Sequence, residues 1–537
     1  MAHSGSVIPS IMCSLAHMSS VTCASQVCSS WAATTVEAPI RNRTSESTRV
    51  AVRVTRITTS RRPTGRLDSG IVAQSGPVCS PRSMGKAPTK PVSGMRDHLP
   101  AAALTRREAF RRVEAAFAAH GFVPLETPAM ERLSTLLGKY GEEGDQLIYR
   151  VLHRGERLAR ALDRQPVEPG DLSEFGLRYD LTVPLARVTA EYRAQLPPVF
   201  RRYQIQSVWR ADRAQRGRFR EFTQCDADIV GSGSLVADAE TLVVLHAALA
   251  ALGFSDFTIL LNHRELLRAL IAASGIPAPS EQETLVVLDK MGKIGREAVA
   301  GELGGLPEVG TDRARRLLDL VPGDAEDRDG DLDRLRRLGQ ALPEGPGRSA
   351  ASDLIELFGA LDGALGGAAP VRFSPSLARG LSYYTGPIFE VVAAGGAGSL
   401  AGGGRYDGLV GMFSGRATPA VGFSLGMERI LMLLEEGGVF SAEGAAPQAM
   451  LCPLPGIDME DTLRVAGALR AAGVRLDVQV DALKLGKQLG RAAAAGVRFA
   501  LILGPVELEG GECAVRNLES GEQRSVPLDE VPRALEA

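Results

Sequence analysis

The sequence predicts an α+β protein: a core with a mixed, mainly antiparallel sheet, a helical insertion, and a small α/β domain at the end. Three observations predict it. Residues 200–230 (FRRYQIQSVWRADRAQRGRFREFTQCDADIV) alternate like two strands around a polar loop. Residues 263–365 are mostly helical in pattern and separate strand-like stretches on either side. After Ala445, the apolar runs QAMLCPLP, VRLDVQV and FALILGP are spaced by helical stretches at 460–472 and 484–495. That order is β-α-β-α-β.

A chain of 537 residues is too long for one ordinary domain. The expected division is a 1–83 extension, a core split between 84–262 and 369–440, a helical insertion at 263–368, and a terminal domain at 446–537. The net charge of −2 hides an asymmetry. Residues 1–83 hold nine arginines, no lysine and three acids (Glu37, Glu46, Asp68), a balance of +6 that leaves −8 on the rest. This first part is rich in Ser and Thr and lacks sustained periodicity, so it reads as disordered. Three explanations of it stay open: a start assigned upstream of a true start at Met84, an organelle transit peptide, or a functional tail. Four of the seven cysteines (Cys13, Cys23, Cys28, Cys79) lie in it, and no CxxC pair occurs anywhere. Neither a zinc site nor a disulfide framework is indicated. No window approaches the roughly 18 apolar residues of a membrane span. A reducing, soluble compartment is expected: the cytoplasm, or an organelle if the extension is a transit peptide.

The elements of the body follow in order. LTRREAFRRVEAAFAAH (104–120) spaces Phe110, Val113 and Phe117 as a helix does; Gly121 ends it and FVPLETPAM is extended. VADAETLVVLHAALAAL (236–252) reads as a helix and DFTILLN as a strand. The insertion has a charged, loop-like middle, PGDAEDRDGDLDRL. Strands resume near 371, and GFSLGMERILMLLEEGG reads as a helix ended by glycines.

The chemistry concentrates in the 200–230 pair. Alternation on its second strand puts Phe222, Gln224, Asp226 and Asp228 on one face, and Thr223, Cys225, Ala227 and Ile229 on the other. Gln224 and Asp228 would stand roughly 13 Å apart along the strand, enough to floor a pocket for a small polar molecule. A solvated sheet face would give the same pattern. Arg210 ends the first strand, and Arg216, Arg218 and Arg220 follow in the loop and second strand. Guanidinium forks suit phosphate and carboxylate oxygens, so a triphosphate clamp is plausible. Arg429 lies on the glycine-bracketed stretch VGFSLGMERI, and AGGGRYDG (401–408) lacks the GK[ST] ending of a P-loop. Its glycines are expected to let a ligand approach the backbone. LARGLSYYTGPIFEVV (377–392) joins a polar, aromatic, cationic turn to a strand. A core strand alone has no need of Arg379 or of Tyr383–Tyr384.

From about residue 90 to the end, the sequence resembles histidyl-tRNA synthetase, a family of class II aminoacyl-tRNA synthetases. The helix at 104–120 with Pro128 is similar to the class II motif 1, VWRADRAQRGRFREF to motif 2, and PAVGFSLGMERIL to motif 3. LARGLSYYTG and AGGGRYDGL resemble the two histidine signatures. The resemblance implies the class II synthetase fold, a C-terminal anticodon-binding domain and a homodimer built on motif 1. It implies attachment of L-histidine to tRNA(His) through a histidyl-adenylate, with Mg2+ accompanying ATP and no metal held by the protein alone.

Roles transfer by position. Asp180 and Thr182, in LRYDLTVPLAR, resemble ligands of the histidine amino group. Gln224 and Asp228 resemble contacts to amino group and imidazole. Tyr383, Tyr384 and Tyr406 resemble the pocket walls. Arg210 and Arg429 resemble the arginines on the α- and γ-phosphates, with Arg218 on the ATP loop. Arg379 resembles the histidyl-specific arginine at carboxylate and α-phosphate, which with Arg210 is expected to be catalytic. Lys484, Lys487 and Arg491, on the basic helix of the last domain, are expected to touch tRNA. Ser382 departs from the family, which usually has an acid there. The competing reading is a non-catalytic relative that serves as a regulatory subunit of ATP phosphoribosyltransferase. Such relatives typically lack the last domain and the ATP-site arginines.

Overall fold

The computed structural model describes residues 89–536 apart from 165, 214, 216, 326, 368, 380–382, 394–397 and 437–446. The 1–83 extension, Arg216, Ser382 and the glycines after Glu436 lie outside the described residues.

The core is an eight-stranded sheet. Its strands are β1 (Val123–Pro124), β2 (Phe200–Trp209), β3 (Glu221–Val230), β4 (Phe257–His263), β5 (Val371–Phe373), β6 (Pro387–Ala393), β7 (Ser399–Arg405) and β8 (Ala420–Leu425). They lie in the order β1-β2-β3-β8-β7-β6-β4-β5. The two outermost pairs, β1 with β2 and β4 with β5, are parallel, and every pair between them is antiparallel. Parallel neighbours need a crossover. For β4 and β5 the crossover is the helical insertion, from Arg264–Ala273 to Pro346–Leu365.

Register assigns the two faces of this sheet different work. Tyr203 stands opposite Ala227, and Ala227 opposite Phe423, so these residues share a face. Helix α1 (Pro100–Ala119) buries Ala109, Val113 and Phe117 at spacing four, one stripe of a helix. The Phe117 ring lies 5.5 Å from Tyr203 and 5.9 Å from Phe423, which puts α1 on that face. Helix α2 (Leu235–Ala251) is pinned there too: Arg405 of β7 pairs with its buried Asp238. The other face carries Arg202, Gln204 and Gln206 opposite Asp228, Asp226 and Gln224. The alternation expected on β3 is the one observed.

Helix α3 (Met427–Glu436) follows β8 directly. GFSLGMERILMLLEEGG is therefore half strand, because GFSL belongs to β8, between β3 and β7. The charged middle of the insertion also differs from expectation. Asp327 accepts a hydrogen bond from the Gly330 amide and caps a helix over Arg328–Ala341, so the loop ends at 327. A three-stranded sheet of Met130–Arg132, Ser173–Leu177 and Arg150–Leu152, unforeseen in the sequence, follows β1.

The C-terminal part has its own sheet: β9 (Ala449–Pro453), β10 (Leu476–Val478), β11 (Phe499–Leu503), β12 (Glu512–Asn517) and β13 (Gln523–Pro527), in the order β10-β9-β11-β12-β13. Helices α4 (Met459–Ala471) and α5 (Leu485–Ala494) lie between its parallel strands in sequence. Leu451, Leu501 and Leu503 pack in one apolar layer, and Met450, Cys452 and Ile502 in the other, as strands buried on both faces require. The expected β-α-β-α-β order is extended by the antiparallel strands β12 and β13.

His263, at the end of β4, caps the first insertion helix, its Nδ1 accepting from the Glu265 amide at 3.1 Å. Burial, with Arg405 adding to it, lowers its pKa from 6.5 to about 4. The unfolded chain then binds the extra proton between those values, so this contribution is complete above pH 6.5 and is lost on acidification towards pH 4. The span corresponds to about 3 kcal/mol. A His263→Asn chain keeps a capping acceptor without the titration. Denaturant melts of both chains are expected to show the wild-type advantage shrinking by that order from pH 7 to 4. A difference that stays constant with pH would refute it.

Candidate active site

Strands β3, β8 and β7 floor a cavity of about 270 Å³. Asp180, Thr182, Arg210, Gln224, Asp228, Arg379, Tyr383, Tyr384 and Tyr406 all line it. A second cavity, about 440 Å³, is lined by Arg210, Arg218 and Arg429. Both share Tyr140, Tyr179, Arg210, Phe222, Ser399 and Gly426, so the two form one continuous cleft with Arg210 at the junction. Lys484, Lys487 and Arg491 are not among its lining residues; they lie exposed at and along α5.

Each side chain is held by its surroundings. Asp180 precedes the helix Thr182–Glu191; its Oδ1 accepts from the Tyr140 hydroxyl at 2.8 Å and from the Val183 amide at 3.1 Å. Arg210 donates through Nε to the Tyr179 carbonyl at 3.0 Å. Its guanidinium lies 4.3 Å from the Tyr179 ring centre and 5.1 Å from that of Phe222, a cation–π bracket. Arg429 reaches the Ser399 carbonyl at 3.0 Å. Arg218 is largely exposed and stands 3.9 Å from Asp212. The ring of Tyr383 lies 4.8 Å from that of Tyr384 and 6.0 Å from that of Tyr406.

Asp228 is held from two sides. It accepts a short hydrogen bond from the Tyr406 hydroxyl and pairs with Arg202 at 2.8 Å. The pair is ionic rather than a directed hydrogen bond, since neither contacting atom has hydrogen-bond geometry. Burial raises the pKa of Asp228, against the pull of Arg202 and Tyr406. Burial also raises Asp180 and Asp226, and lifts the Tyr406 phenol well above its usual range. Among the described residues, Asp226 Oδ1 and Gln224 Oε1 are buried without a hydrogen-bond partner. A ligand with an ammonium group and a ring N–H matches such a set of acceptors.

The AGGG run serves a further purpose beside the one expected. A Cβ on Gly402 would stand 1.9 Å from Arg379 Nη1, and one on Gly403 2.1 Å from the Gly422 carbonyl. These glycines make room for the arginine and the neighbouring strand, and only Gly402 and Gly403 also face the cavity. Sequence reasoning gave no role to Arg202, Asp226, Tyr140 or Ser424. Arg202 carried a signal, since alternation puts it on the same face as Gln204, Gln206 and Val208. Its partner is set by register, which one strand cannot reveal.

A family profile described as Histidyl-tRNA synthetase matches residues 94–430, and one for an Anticodon binding domain matches 448–537. The Histidine--tRNA ligase of Cytophaga hutchinsonii is 39% identical over 452 residues, spanning 82% of this chain and 98% of that one. The crystal structure of histidyl-tRNA synthetase from Nostoc sp. PCC 7120 aligns with TM-score 0.71 at 29% identity, over 84% of this chain and 99% of that one. A Bacillus halodurans structure, described as an ATP phosphoribosyltransferase regulatory subunit/histidyl-tRNA synthetase, shares the fold at TM-score 0.60 and 22% identity, over 78% of this chain and 98% of that one. With its eight-stranded sheet, two-part cleft and terminal α/β domain, the chain belongs to the histidyl-tRNA synthetase family.

Proposed function

We propose that this protein is a histidine-tRNA ligase: it activates L-histidine with ATP and passes the histidyl group to tRNA(His). The observation that carries the reading is the convergence of Arg379, Arg210 and Arg429 on one cleft whose inner half is lined with buried carboxylates and tyrosines. A regulatory subunit without chemistry has no need of that convergence, or of the domain at 448–537.

Activation joins a histidine carboxylate oxygen to the ATP α-phosphorus while the bond to the β-phosphate bridge breaks and pyrophosphate leaves. A carboxylate is already ionised at neutral pH, so no side chain has to remove a proton. What the protein supplies is alignment and charge opposite the pentavalent phosphorus. Arg379 and Arg210 take that role, and Arg429 and Arg218 hold the outer phosphates. Asp180, Thr182 and Gln224 bind the amino group. Asp228, oriented by Arg202 and Tyr406, accepts from the imidazole N–H, with Tyr383 and Tyr384 closing the ring pocket. Acyl transfer to the terminal ribose hydroxyl of the tRNA follows and releases AMP.

Mg2+ accompanies the nucleotide. Among the described residues no cluster of three metal-ligating side chains occurs. Mg2+ needs only one or two carboxylates beside phosphate oxygens. Asp212 lines the outer cavity and would hold the ion, whereas Glu428 is tied to Arg96 and Arg106. Bound there, the ion would neutralise phosphate charge.

The protein works as a homodimer in the cytoplasm. Exposed apolar side chains on and after the edge strand β1, Val123 and Met130, support a subunit contact there. No described helix is long and apolar enough to cross a membrane.

The primary test is histidine-dependent ATP–pyrophosphate exchange. Arg379→Ala is expected to lower its kcat by about 10²–10³. A folded wild-type protein that binds histidine without exchange would overturn the ligase in favour of the regulatory reading. Gly402→Ala should slow exchange by about 10- to 100-fold by displacing the Arg379 guanidinium, with an unchanged melting temperature. Full exchange in that variant would remove Arg379 from the reaction. Lys484→Glu with Lys487→Glu should leave exchange intact and cut kcat/KM for tRNA by roughly tenfold, with a salt slope shallower by about one per lost phosphate contact. Unaltered charging would place tRNA elsewhere.

A further inference from the structure

Arg379 has φ +49, and only Glu308 shares a left-handed backbone among the described non-glycine residues. Such a conformation persists in a side-chain-bearing residue only when its surroundings hold it. The holding groups come from the helical insertion. The Arg379 amide donates to Asp289 Oδ1 at 2.7 Å, and Asp289 is the C-cap of the helix Glu281–Leu288. Arg264, 1% exposed, donates through Nη1 to the Ala378 carbonyl at 3.2 Å and to the Arg379 carbonyl at 3.5 Å. Its Nη2 donates to Gln282 Oε1 at 2.8 Å, on the same helix as the Asp289 cap. Arg268 fastens that helix to the preceding one, bonding Glu281 at 2.8 Å and Glu265 at 2.6 Å. The guanidinium of Arg379 points the other way, its Nη1 donating to the Phe389 carbonyl at 3.1 Å beside Gly402.

We propose that Asp289, backed by Arg264 and Gln282, is a positioning residue for Arg379, through which the inserted helical module fixes the cation at the reacting carboxylate and α-phosphate. This rests on the adenylation reading of Arg379. The Asp289 carboxylate acts on the main chain, so the contact needs an acceptor oxygen at that place and not a negative charge. Asparagine supplies the oxygen; alanine does not. A module displaced by any partner would displace Arg379 with it, because the bonds are to the backbone that sets where the side chain starts.

The test is a double-mutant cycle in the full chain, read by histidine-dependent ATP–pyrophosphate exchange. Asp289→Ala is expected to lower kcat by about 10- to 100-fold. Asp289→Asn should recover to within about threefold of wild type. Asp289→Ala added to Arg379→Ala should cause no further loss, since a support without its load has no effect. An Asp289→Ala kcat within twofold of wild type, or equal losses in both backgrounds, would overturn the proposal. Crystal structures of both Asp289 variants read the same point without activity. The Arg379 φ should leave the left-handed region in the alanine variant and stay in it in the asparagine variant. A φ still near +49 in Asp289→Ala refutes the inference even if the wild-type chain exchanges no pyrophosphate. Absence of exchange in the wild type would refute the ligase reading alone.

Discussion

The ion pair between Arg202 of β2 and Asp228 of β3 lies under the whole site, with both groups almost wholly shielded from water. Neither charge could be buried alone. An isolated ionised carboxylate or guanidinium at such a place would shed its charge or refuse burial, whereas removal of one partner from a buried pair costs about 3–5 kcal/mol. The antiparallel register supplies the partner by setting Arg202 directly opposite Asp228. Once Asp228 is fixed as an acceptor, Tyr406 can donate to it, and the short bond between them ties the chain just after β7 to β3 across the intervening β8. The chain of dependence runs from register to ion pair to pocket wall.

The same register continues the polar layer outward. Gln204 donates to Thr127 Oγ1 at 2.8 Å and to Gln206 Oε1 at 2.6 Å, and Arg178 reaches Gln206 Oε1 at 2.8 Å and the Thr127 carbonyl at 2.6 Å. These bonds tie the segment after β1 to the hairpin that carries Gln224 and Arg210. A network of this kind specifies one arrangement only when nearly every member is satisfied. Here it is not complete: Gln204 Oε1 and the side-chain nitrogens of Arg202 are buried without a hydrogen-bond partner. The unsatisfied oxygens of Gln224 and Asp226 belong to side chains that line the cavity.

Much of this was legible in the sequence, and the limits have physical causes. The polar face of β3 was readable because the period of a strand is exactly two. The arginines were readable because four of them sit where a core cannot take them. The two histidine signatures gave the remaining walls through resemblance. Arg202 was not readable as the partner of Asp228, because pairing is decided by the length of the 210–220 loop. The role of Gly402 was hidden because the atom it must avoid belongs to Arg379, on another strand connection. GFSL was misread as helix because a short apolar run before a helical one carries no period of its own. Strand β13 was missed because Gln523–Pro527 is mostly exposed and lacks an apolar face.

The carboxylates of the cleft set its stability against its use. Burial raises the pKa of Asp180, Asp226 and Asp228. A raised folded-state pKa contributes stability that is present at low pH and is lost as pH rises through the folded value, so at neutral pH these acids act against the fold. The cost falls on the free protein and is offset when a cation or N–H donor enters the cavity. On the proposed reading, histidine brings both, an ammonium group for Asp180 and an imidazole N–H for Asp228. An amino acid with an apolar side chain would offset the first and leave the second buried and unmatched, which is how such a pocket rejects it. On the proposed reading, selectivity for histidine and weakness of the empty site therefore have one origin: acids buried in the cleft, Asp226 and Asp228 on the sheet and Asp180 before the helix Thr182–Glu191, beside the guanidinium groups of Arg202, Arg210 and Arg379.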